Sequence, residues 1–231
     1  MTESLVRALD LIAHADAVLT RTMALSFAVS GAACLFAGCI GVSLGAWLAA
    51  TRFVGRRGVL LLLDTLLAVP SVVVGLLVYL LLSRVGPLGS LGLLFTPTAM
   101  VVAQTILLLP LVTALTRRLV ADGLREADEP LRSMGAGSAA RAALMLLHER
   151  WAVLTIGLVA FGRAIGEVGA VMIVGGNIAG VTRVMTTTIA LETSKGDLPL
   201  ALALGIVLLA VVALVNAGVA ALPAAVRLRT T

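Results

Sequence analysis

This chain has little charge. Only 13% of its 231 residues are charged, about half the roughly 25% of an ordinary soluble domain, while 60% are hydrophobic. A soluble globule of this size cannot hide that much apolar surface. The balance excludes a soluble enzyme, a disordered tail and a disulfide scaffold, and leaves an integral membrane protein. Lysine is nearly missing: Lys195 is the only one, and no Gly-x4-Gly-Lys-Ser/Thr phosphate loop occurs. The chain therefore lacks the means to hold ATP in the Walker manner, and ATP-driven work would need a second polypeptide. Cys34 and Cys39 fall five residues apart in one apolar run, on different helical faces and too far apart to bridge, so they read as packing residues. With His14 and His148 they give no metal-ligand spacing. No Ser/His/Asp or Cys/His constellation and no nucleic-acid motif is visible, so the chain reads as neither an enzyme nor a metal protein.

Five apolar segments are present, at about 22–51, 58–83, 96–116, 151–176 and 198–222. Each reaches the roughly 20 residues that a helix needs to cross a hydrocarbon core about 30 Å thick. Helices are expected because lipid offers no partners to backbone polar groups. The predicted fold is thus all-α, with about five transmembrane helices in the cell inner membrane. Arginines set its orientation. Eleven of them, at 52, 56, 57, 117, 118, 125, 132, 141, 150, 227 and 229, fall on one side of a five-span chain, against Arg7, Arg21, Arg84, Arg183 and Lys195 on the other. The positive-inside rule predicts the N-terminus outside and the C-terminus, with a tail at 223–231, in the cytoplasm.

The first 21 residues are not a cleavable signal, because they carry Glu3, Asp10 and Asp16. Leu5, Leu9 and Ile12 recur at helical spacing, so residues 3–13 read either as a helix on the outer membrane surface or as a polar leader. Thr96-Pro97 marks a helix start and Gly175-Gly176-Asn177 a helix stop. Pro70 and Pro110 lie inside spans and predict kinks. Asp64, near the inner end of the second span, lies within reach of Arg56 or Arg57.

The longest inside loop, 117–150, reads as two short amphipathic helices, at about 122–134 and 139–148, parted by Gly135 and Gly137 with Ser138 as a cap. Its Leu131, Met134, Leu144, Leu146 and Leu147 are more apolar residues than a free connector should expose, which favours docking. Within it, Glu129-Pro130-Leu131-Arg132-Ser133-Met134-Gly135, with glycine six positions after the acid, resembles the EAA loop of ABC importer permeases. The two alanines of that pattern are Pro130 and Leu131 here, and a later Leu-Pro pair is Leu147-His148. Two further stretches resemble the tungstate-type permeases. One runs from Val69-Pro70-Ser71 to Phe95-Thr96-Pro97. The other runs from Gly162-Arg163-Ala164-Ile165-Gly166-Glu167 through Thr182-Arg183-Val184-Met185-Thr186 to Asp197. Molybdate and sulfate permeases share a looser form of the second stretch.

The resemblance implies the type I importer fold and a homodimer with the path between two copies. It also implies a cytoplasmic ATPase that spends the ATP, an extracytoplasmic oxyanion-binding protein and alternating access. The coupling residues would be Glu129, Met134, Gly135, Ala136, Gly137 and Ser138, with Gly135 ending a helix where a large side chain has no room.

Arg163 and Glu167 are the costly residues, at roughly 2.5–3.5 kcal/mol for each charge at bilayer depth. Four apart, they share a helical face and can pair. With Pro70 they line a path, or they tie the fourth span to a neighbour; the two readings stand even. In the outer loop, Asn177, Thr182, Arg183 and Thr186 suit oxyanions, although contact with a binding protein is the more ordinary role. A sulfate or molybdate permease, an ion-coupled secondary transporter or channel using Arg163 and Glu167 as a relay, and a scaffold subunit are the alternatives.

Overall fold

The computed structural model describes residues 2–14 and 16–227. Ten α-helices carry most of them, and no strand occurs among the described residues. In chain order they are α1 (Thr2–Ala13), α2 (Ala17–Ala50), α3 (Arg56–Ala68), α4 (Ser71–Leu82), α5 (Pro97–Ser133), α6 (Ser138–His148), α7 (Arg150–Ile165), α8 (Gly169–Gly175), α9 (Met185–Lys195) and α10 (Leu198–Arg227). Alone, α2, α5 and α10 are each long and apolar enough to cross a membrane. Two bent pairs, α3 with α4 at 101° and α6 with α7 at 78°, bring the number to as many as five. The chain is an all-helical, multi-pass membrane protein.

The central pair is α2 against α5. Two glycines let the backbones approach. A Cβ on Gly45 would lie 2.6 Å from the Thr113 carbonyl oxygen, and one on Gly41 would lie 2.9 Å from the Val112 side chain. In lipid such close van der Waals contact replaces the hydrophobic drive that is absent between helices. Around this pair, α7 packs through Ile156, Ala160 and Ala164, and α4 and α8 through Val78, Leu82, Ala170 and Val174. On the other flank α10 packs on α7, α9 and α1. Ala8, Leu11 and Ile12 of α1 join that cluster, while its Leu5, Val6 and Leu9 face outward.

Four elements differ from the expectations. Pro70 does not merely kink a span: it separates α3 from α4, and the chain is extended at Val69 and Pro70. A proline has no N–H to continue α3, and its ring pushes the preceding residue out of helical geometry. By contrast α5 runs unbroken through Pro110 to Ser133, so the helix expected at 122–134 is the end of the third span. Its 37 residues measure about 55 Å, well beyond a hydrocarbon core, and nothing between Thr116 and Ser133 breaks it. The fourth apolar run is two helices, α7 and α8, parted at Gly166, Glu167 and Val168. Finally, Arg56 turns away from Asp64 and donates its Nε to the Leu48 carbonyl at 3.1 Å, a C-terminal carbonyl of α2 where positive charge is favoured. Of the expected tail, α10 takes in residues up to Arg227; residues 228–231, Arg229 among them, lie outside the described residues.

Candidate functional site

The two breaks in the helices lie side by side. Pro70 and Ser71 open α4, Gly169 opens α8, and the two helices touch with almost no side chain between them. A Cβ on Gly75 would sit 2.7 Å from Ala170 Cα, and one on Gly169 would sit 2.9 Å from Ser71 Oγ. Glu167 occupies the gap. Its carboxylate accepts from Arg163 at 2.6 Å and from the Ala170 N–H at 3.3 Å, and the Ser71 side chain lies near it. Its own carbonyl accepts from Thr186 Oγ1 at 2.8 Å. The carboxylate thus has three kinds of support: an arginine, a backbone N–H and the N-terminal end of the 12-residue α4. That is how a buried charge becomes tolerable.

The pair is asymmetric. The Glu167 side chain is 5% exposed, whereas Arg163 is 53% exposed. Glu167 bolts α4, α7 and α8 together. Arg163 spends one nitrogen on it and presents the rest of the guanidinium outward. The structure therefore brings Pro70, Arg163 and Glu167 into one place.

Two residues at this place were not singled out from the sequence. Gln104 donates its Nε2 to the Ala164 carbonyl at 3.0 Å, one of the backbone groups next to the break in α7. It is the chain's single glutamine and sits in an otherwise apolar run, which was the available signal. Ser71 directly follows Pro70, and position after a break was the signal there. A cavity of about 10 Å³ lies among Gln104, Leu107, Leu108, Arg163, Ala164 and Glu167, about the room of one water.

The outer segment is not the polar loop expected. Thr182, Thr186, Thr187 and Thr188 are all buried, and all but Thr182 belong to α9. Their hydroxyls are spent on the chain itself. Thr182 donates to the Gly175 carbonyl at 2.5 Å and accepts from the Ile178 N–H. Thr187 accepts from the Val184 N–H, and Thr188 donates to the Val184 carbonyl. Asn177 takes a left-handed φ of 50° and donates weakly to Thr187, and Arg183 donates to the Asn177 carbonyl at 3.3 Å. Threonine reads as loop in sequence because its hydroxyl competes for backbone partners. Here that same bonding is what seals a buried turn.

The arginine-rich end holds the α5–α6 hairpin. Gly135 takes a φ of 81° and ends α5 with bonds from the Gly135 and Ala136 N–H groups to Arg132 and Leu131, a left-handed helix stop. A Cβ there would meet nothing within 4 Å, so the turn has room on its outer side, contrary to the expectation. Ala142 and Met145 of α6 pack on Val120 and Leu124 of α5 and on Ala46 of α2. Leu131 and Leu146 are partly covered there, while Met134 at the tip is 82% exposed. Glu129 is exposed on the outer side of the last turn of α5, and Ala136 and Ser138 are half-buried.

Set against known proteins, the chain aligns along nearly its full length with the tungstate uptake system permease TupB of Peptoclostridium acidaminophilum, at 42% identity over 218 residues, covering 94% of this chain and 95% of that protein. This chain belongs to the anion-uptake permeases of ABC transporters. A probable anion ABC transporter permease of Haloferax volcanii is 41% identical over 84% of this chain and 86% of its own length. The TupB permease of Campylobacter jejuni is 40% identical over 70% and 67%. No family model matches the chain. As a permease the chain is a transport component rather than an enzyme. Its broken spans meet at Glu167, and interrupted helices are a recurring feature of transporters.

Proposed function

We propose that this permease carries a tetrahedral oxyanion, tungstate first, inward across the cell membrane by alternating access. Its N-terminus lies outside and the arginine-rich end in the cytoplasm. It works as a homodimer with the path between the copies, and each copy contributes an Arg163 guanidinium whose free donors meet the anion in passing. Glu167 is the bolt that holds Arg163 at that depth. ATP is spent by a cytoplasmic ATPase subunit, which docks on the hairpin tip at Glu129, Met134, Gly135, Ala136, Gly137 and Ser138. A separate extracytoplasmic protein delivers the anion. The observation that carries the reading is the half-exposed arginine beside the paired helix breaks, in a chain related over 94% of its length to a protein named for tungstate uptake. Among the outer residues, Asn177, Thr182 and Thr186 keep a structural role, and Arg183 borders a cleft with Arg21 on the side where the delivery protein would sit.

The test is labelled tungstate uptake into vesicles that hold the permease with its ATPase and binding protein. Uptake should require ATP, be outcompeted by molybdate more readily than by sulfate, and ignore a proton gradient. Uptake driven by a proton gradient without ATP would refute the reading.

A further inference from the structure

A second polar site lies away from the helix breaks. Between the end of α2 and the α5–α6 hairpin is a cleft of about 600 Å³, walled by Ala49, Ala50 and Leu124 and ringed by Arg52, Arg125, Arg132 and Arg141. One lining carboxylate, Asp128, faces these four arginines, and Asp122, outside the lining, pairs with Arg125 at 3.5 Å. Asp128 pairs with Arg141 and, at 3.7 Å, with Arg132. The cleft thus holds an excess of guanidinium donors. Arg141 is 11% exposed, and its Nε is buried without a partner among the described residues, a cost that an anion would relieve.

Aromatic residues flank the α2 wall of this cleft. Trp47 stacks on Phe53 with ring centroids 5.1 Å apart, and these residues flank the Ala49–Arg52 wall. The chain's other tryptophan, Trp151, lies under Arg150 at 6.0 Å at the start of α7. Exposed tryptophans beside arginines mark the headgroup level of a membrane. A basic pocket between helix ends at that level suits a lipid phosphate.

We propose that this cleft binds the phosphate of an anionic phospholipid headgroup, with Arg52, Arg125, Arg132 and Arg141 as its donors and the chains of the lipid running down the apolar side of α2. A bound headgroup bridges a span end to the hairpin, so bilayer composition reaches the hairpin through this site.

The test uses the permease–ATPase complex in nanodiscs of phosphatidylcholine with graded phosphatidylglycerol, reading retained phosphatidylglycerol by native mass spectrometry. Arg125→Gln with Arg132→Gln leaves the Asp128–Arg141 pair in place and should weaken retention about thirtyfold. Arg125→Lys with Arg132→Lys should keep most of it, and Arg57→Gln, outside the cleft, should change nothing. Equal retention by the Gln double variant and the unaltered protein overturns the proposal. So does displacement of the lipid by millimolar inorganic phosphate or tungstate, which would make this a free-oxyanion site. Loss of the lipid on adding the ATPase to isolated permease also overturns it, because the arginines would then belong to the subunit contact.

Discussion

Removing Arg163 strands a carboxylate that is 5% exposed, and the structure sets how much that should cost. Breaking a fully buried pair typically costs about 3–5 kcal/mol. Glu167 keeps the Ala170 N–H, and the lost partner was half in the open, so Arg163→Ala should cost less, about 2–3 kcal/mol, near the worth of one charged hydrogen bond. Glu167→Ala leaves an arginine that can reach outward, but it unpins α4 from α8, and about 3 kcal/mol is expected there too. The double variant should then fall about 2 kcal/mol short of the summed costs, since both single changes break the same bond. Arg163→Lys keeps the charge and loses the planar fork. Its stability should hold within about 1 kcal/mol while tungstate uptake drops at least about tenfold, the scale of one lost oxyanion contact. The assay is reversible unfolding in mixed micelles on all four variants, with uptake measured on the same preparations. Additivity of the two alanine changes would refute the bolt. Full uptake by the double alanine variant would refute passage past Arg163 and leave the pair as packing alone.

Three further outcomes follow from other parts of the molecule. Gly135→Trp has open space at its Cβ but must adopt φ +81°, so it should fold at a cost of about 1–3 kcal/mol; ATPase co-purification and uptake should both be lost, and normal uptake would refute docking at this turn. Gly45→Ala drives a Cβ to 2.6 Å from the Thr113 carbonyl and should part α2 from α5 at about 1–3 kcal/mol in the same unfolding assay, whereas Gly31→Ala, with nothing within 4 Å, should be neutral. In a chain with Cys34 and Cys39 replaced, a cysteine at Met134 should be shielded in intact cells and one at the fully exposed Val85 labelled by an impermeant thiol reagent; the reverse pattern would invert the topology.

What the sequence discloses is what lipid itself demands. Uninterrupted apolar runs betray helices because a bilayer allows little else, and the start at Thr96-Pro97 is legible because it is local: Thr96 Oγ1 accepts from the Ala99 N–H at 3.3 Å. The stop at Gly176, with φ 69°, is local in the same way. The break at Glu167 is not local. Nothing in Ile165-Gly166-Glu167 forces it, and it persists because Gln104, 60 residues away, takes the Ala164 carbonyl and Thr186 takes that of Glu167. The burial of α9 is hidden for a related reason. Its threonines look hydrophilic residue by residue, yet their hydroxyls are already spent on backbone carbonyls, and the Met185 N–H at the start of the helix is taken by Ser26 Oγ at 2.8 Å. The pairing of Arg163 with Glu167 could be foreseen from spacing, but their unequal exposure could not, since it depends on what α4 covers.

The contact of Gly75 on Ala170 has a mechanical consequence. With backbone resting on backbone, α4 and α8 cannot slide or roll past one another without collision. They act as a single strut, although the 86 residues 83–168 lie between them in the chain. The compliant points are then the extended residues Val69 and Pro70 below α4 and the short link Gly166, Glu167 and Val168 below α8, two flexures set side by side. A force arriving along α3 or α7 would tilt the strut about these flexures as one rigid piece. The ionic bolt at Glu167 sits at the pivot, where the displacement is least.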